Sequence, residues 1–143
     1  MIAGNMLNLL ALIAQRNSKN GLLMDITETL RRMQDAAANA LQLLQSQQDI
    51  ENQQIELDME ALDESADDYT QKYQELLTEQ QKLTQKQSRE AQRLQDEWDR
   101  KERPYELLQE QVETEVEAIS ADIDGMRDIT KENAQTEFSM MQS

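Results

Sequence analysis

Asp122, Asp124 and Gly125 are residue types that open a calcium-binding loop. In such loops oxygen ligands on alternate residues surround a hard cation and a glycine permits the sharp turn. The twelve-residue pattern stops there. No third Asx residue precedes the glycine, and no glutamate stands at the far ligand position. Asp63, Glu64, Asp67 and Asp68 also cluster at helical spacing and could bind a divalent cation weakly. Without a histidine or a closed cage of ligands, a solvated acidic face is the simpler reading of both clusters. Carboxylates are so frequent that no pair of them marks general acid-base work. No nucleophile-base arrangement and no glycine loop for phosphate is present. The residues therefore predict a protein that is not an enzyme, with no catalytic residues, no cofactor and no metal site.

Composition narrows the field further. The chain has 143 residues, no cysteine and no histidine, which removes disulfides, zinc-thiolate sites and imidazole chemistry. Absence of cysteine fits a cytosolic protein and equally one exported unfolded. The net charge of -15 repels phosphate backbones, so nucleic acid is excluded as a partner. Aromatic residues make up only 3%, and glycine occurs 3 times. Leu, Ile, Met and Ala carry the apolar load, which suits long helices that each bury one narrow stripe.

The elements that would position these side chains are helices. Residues 2–16 read as a short apolar helix carrying Ile2, Met6, Leu9, Leu10 and Ile13. It is too short to span a bilayer and has no basic residues ahead of its apolar run, as a secretory signal would. It lacks the charged face of an interfacial helix, so burial against protein is favoured over membrane contact through residues 2–13. Asn17 to Gly21 reads as a break. A long heptad helix follows over 22–103, with Ile26, Leu30, Met33, Ala37, Leu44, Ile55 and Met59 on its stripe. Its phase shifts between Ile26 and Ile55, which a continuous helix absorbs as a skip. Tyr69, Tyr73, Leu76, Leu83, Leu94 and Trp98 continue the stripe. Ser65 is a possible cap for a new helix start, but the stripe keeps its phase through it.

The only proline, Pro104, opens a final helix over 104–143, where a missing N–H is tolerated. Leu108, Val112, Ile123 and Phe138 lie on its stripe. Folding the chain back at 103/104 sets Leu108 against Trp98, Val112 against Leu94, Ile123 against Leu83 and Phe138 against Tyr69. The charges follow: Glu106 meets Lys101, Glu113 meets Arg93 and Glu117 meets Arg89. The expected fold is all-α: an antiparallel helical hairpin bending near Pro104, with a short apolar N-terminal helix, in a single elongated domain of segments 1–21, 22–103 and 104–143. A kinked continuous helix is the rival.

That hairpin leaves the stripe from Ile26 to Met59 uncovered, together with the N-terminal helix. An unsatisfied apolar stripe of that length predicts a partner, either another copy of the chain or a helical protein. Apolar helices at both ends, Ile2–Ile13 and Ile119–Met141, flank an acidic helical body. In outline this resembles the filament and needle subunits exported by bacterial type III secretion and flagellar systems, including the EspA-like filament proteins. The resemblance implies terminal helices packed together in a helical polymer, and export without a cleaved signal. The alternative is a cytosolic coiled-coil adaptor or chaperone that holds an apolar partner helix along Ile26–Leu44.

Overall fold

The computed structural model describes residues 2–142 and is helical but for one turn. Helix α1 runs over Ile2–Glu60 and helix α2 over Tyr69–Gln142. Helix α1 is rich in Leu, Gln and Ala, and α2 in Gln, Glu and Leu, residues that lose little freedom on entering a helix. The chain divides into two compact units. One joins residues 1–31 to 103–143, and the other comprises 32–102. In each, a segment of α1 packs antiparallel against a segment of α2, so the all-α class and the helical hairpin hold.

The bend lies elsewhere than at Pro104. Residues 61–68 turn the chain, and Pro104 sits inside α2. The turn is built by the acidic patch. Asp63 Oδ1 accepts hydrogen bonds from the Ser65 backbone N–H at 3.0 Å and the Ser65 hydroxyl at 2.6 Å, an Asx turn. Ala66 N–H then donates to the Asp63 carbonyl and Tyr69 N–H to the Ala66 carbonyl. The Asp68 carbonyl accepts the Lys72 N–H, placing Asp68 at the N-cap of α2. Acidic side chains before a helix N-terminus also complement its dipole. At 103/104, by contrast, there is only a proline. An interior proline costs about 3 kcal/mol, an amount that seam burial on either side can offset. Pro104 and Arg100 are both exposed, so water can reach the carbonyl that lacks its donor.

The break expected at Asn17–Gly21 is absent. Gly21 lies within α1 without a positive φ. Lys19 reaches across to Glu115 and Ile26 is buried, so packing on both sides of the glycine overrides its poor propensity. The expected segments 1–21, 22–103 and 104–143 are accordingly replaced by two helices meeting at 61–68.

The covered seam keeps a four-three rhythm. In the unit of residues 32–102 it takes an eleven-residue step over Ala37, Leu41, Leu44 and Gln48, and another over Gln87, Ala91, Leu94 and Trp98. Trp98 and Leu94 share one small cleft with Ala37, Ala38 and Leu41, and Gln87 bonds Gln48, so the two steps lie level. Matched steps let both helices change phase together without leaving the seam. The small alanines admit the indole.

Candidate assembly surface

Because α2 returns along α1, the partners within the chain differ from those expected at a Pro104 bend. Leu108, Val112, Ile123 and Phe138 do not face Trp98, Leu94, Leu83 and Tyr69, since all eight belong to the same helix. The stripe from Ile26 to Met59 is not left for another chain either, because α2 lies along it. Ile26 and Leu30 are buried in a cluster with Val112, packed by Leu23 and Val116. Met33, Ala37, Leu44, Ile55 and Met59 are half-buried. On α2, Tyr69, Leu76, Leu83, Leu94 and Trp98 are half-buried, and Val112 and Ile123 are buried. Tyr73 stacks on Tyr69 with ring centroids 5.9 Å apart, at the edge of the seam. Leu108 and Phe138 are exposed.

Polar contacts set the register in each unit. In the unit of residues 32–102, Gln87 is buried. Its Nε2 donates to the Gln48 carbonyl at 3.3 Å and to Asn52 Oδ1 at 3.1 Å, while Gln48 Nε2 donates to the Gln87 carbonyl at 3.0 Å. A buried polar layer of this kind disfavours slipped registers, which would strand its donors. In the other unit Lys19 Nζ lies 2.6 Å from Glu115 Oε2, and Gln109 Nε2 donates to the Thr27 hydroxyl at 3.1 Å. Hydrogen bonds from Lys19 and then Gln111 hold the Glu115 carboxyl below its ordinary value. The ion pairs expected at a Pro104 bend are not formed within the chain. Lys101 instead pairs with Glu97 at 3.4 Å and lies 4.6 Å from the Trp98 ring centroid.

What remains uncovered is apolar in two places. In the unit holding both chain ends, Met6, Leu7 and Leu10 are exposed on α1, and Phe138 and Met141 on α2. Leu9 and Ile13 are half-buried between the helices, and the side chain of Ile2 lies outside those described. In the other unit Leu43, Ile50 and Leu57 are each more than half exposed. They stand seven residues apart, a second apolar line on α1 away from the seam. The sequence reading passed over this line because its period matches the seam's while its phase does not. Following seven-residue repeats in every phase would have found it.

Exposure is large in sum. The chain presents 10933 Å² to solvent, where a folded monomer of its mass exposes roughly 7,600 Å². No helix of the described residues is long and apolar enough to cross a membrane. No protein-family model, no curated protein and no solved structure matches the chain. The class is thus defined by architecture alone: a two-helix antiparallel coiled-coil hairpin with apolar side chains outside its own seam.

Proposed function

We propose that the protein is a structural, non-enzymatic subunit that assembles with copies of itself into a filament or other large helical array. The observation that carries this reading is the apolar surface outside the intrachain seam: Leu43, Ile50 and Leu57 in one unit, and the terminal segments in the other. A side chain on a seven-residue line buries well only against another helix, and roughly 25 cal/mol is gained per Å² of apolar surface covered. Pairing of the N-terminal and C-terminal segments in one unit agrees with the filament subunits of type III-like export systems, and we extend the proposal to export by such a system.

The adaptor reading loses its designated site, because Ile26–Leu44 faces α2. Sedimentation velocity with negative-stain microscopy of the purified chain tests the proposal. Fibres or large regular particles are expected, and a monomer that persists at high concentration overturns it.

A further inference from the structure

α2 carries two charged stripes of opposite sign and identical spacing. Lys82, Lys86, Arg89, Arg93 and Arg100 follow one another at steps of four, three, four and seven. Glu106, Glu110, Glu113, Glu117 and Asp124 repeat those steps, displaced by 24 residues. Every one of these residues is exposed. Of these ten stripe residues, Lys86 alone forms an ion pair with another described residue, a 3.6 Å contact to Glu90. Where the basic stripe is interrupted by Asp96 and Glu97, the matching positions are the uncharged Ser120 and Ala121.

The stripes flank their seams on opposite sides. Lys82, Lys86, Arg89 and Arg93 each precede a covered residue: Leu83, Gln87, Glu90 and Leu94. Glu110, Glu113, Glu117 and Asp124 each follow one: Gln109, Val112, Val116 and Ile123. One residue is about 100° of helix rotation, so the basic stripe lies on one flank and the acidic stripe on the other. Reversing the direction of one stripe destroys the match, because the seven-residue step then falls at the wrong end.

We infer that these stripes join copies of the chain, the basic flank of α2 in one copy lying parallel to the acidic flank of α2 in the next, displaced by 24 residues. That displacement is about 36 Å along the helix. The occupant is a second copy because the acidic stripe reproduces the spacing of the basic one. Such a contact uses different surfaces on the two partners, so it leaves one of each free and propagates as an open array. Flanking charges of this sort set direction and stagger more than affinity. The inference rests on the self-assembly reading and supplies its geometry.

Charge reversal tests it. Lys82→Glu, Lys86→Glu, Arg89→Glu, Arg93→Glu and Arg100→Glu together form one variant. Glu106→Lys, Glu110→Lys, Glu113→Lys, Glu117→Lys and Asp124→Lys form the other. Each alone should lose sedimenting polymer, and an equimolar mixture should regain it as an alternating array. The acidic-stripe variant is the sharper of the two, since its net charge moves from -15 to about -5 and relief of self-repulsion alone would strengthen its assembly. Polymer formed by either variant alone, or a mixture that fails to recover, overturns the stripe contact while self-assembly stands. A wild-type chain that never assembles overturns both. A second measurement does not depend on how the reversed chains fold. In mixed wild-type-like polymers, Lys86→Cys should form a disulfide with Glu110→Cys of another copy but not with Asp124→Cys, and absence of the first cross-link overturns the stagger.

Discussion

Gln87 is the buried polar side chain of the seam, held by Gln48 and Asn52. Truncating it removes two donated bonds and opens a small void. Gln87→Ala should therefore lower stability by about 1–2 kcal/mol, read from urea denaturation with the slope unchanged. Its partners were not legible in the sequence, because they stand 35 and 39 residues away and follow from the position of the turn at 61–68. Glu115 supports a pH prediction. Its folded value is lowered from 4.5 by Lys19 and Gln111, so the carboxylate contributes stability that is full above the ordinary value. That contribution is lost as pH falls through the lowered folded value. The difference in melting temperature between the native chain and Glu115→Gln should be present at pH 7 and vanish in strong acid. It should also shrink with added salt, because both side chains are partly exposed.

At the scale of elements, Pro104 and the acidic patch exchange the roles that their residue types suggest. Proline is the stronger helix breaker, yet a turn needs the chain to reverse as well as a helix to end. Asp63 and Ser65 supply that reversal through hydrogen bonds, and Pro104 has no such partner beside it. Pro104→Ala should stabilise the fold by about 2–3 kcal/mol while leaving helix content unchanged by circular dichroism. Gly21 makes the same point about tertiary override. A Cβ added there meets nothing within 4 Å, and its φ is not positive. Gly21→Ala should add about 1 kcal/mol of stability, read as a rise in melting temperature. A chain that truly broke at Asn17–Gly21 would instead be destabilised by the alanine.

For the whole molecule, few side chains are fully covered. Ile26, Leu30, Val112 and Ile123 are the buried apolar residues among those described, because each helix has one partner and buries one face. Removing residues 2–16 should abolish assembly and also reduce the helicity of the C-terminal segment. The register set by Lys19 with Glu115 and Thr27 with Gln109 brings Ile123 level with residues 11–13, and those leave with the deletion. Circular dichroism and sedimentation on the truncated chain check the two effects separately. Unchanged assembly would remove the N-terminal segment from the interface.

Helical class, the heptad stripe and the exclusion of imidazole and thiol chemistry were determined by the sequence itself. Each depends on residue types and local spacing: Leu, Ile and Ala at three and four, no cysteine, no histidine. The expectation of a hairpin was also sound, because a long apolar stripe must be covered by something. Which residues cover which was decided only by the tertiary structure. Repeating stripes can be laid together in several registers, and the matched pairs Glu113–Arg93 and Glu117–Arg89 suited a bend at Pro104 as well as any. The energy that selects a bend at 61–68 comes from burying Ile26 and Leu30 against Val112 and from the polar layer at Gln87. Those contacts join residues far apart in the chain, and no local pattern records them.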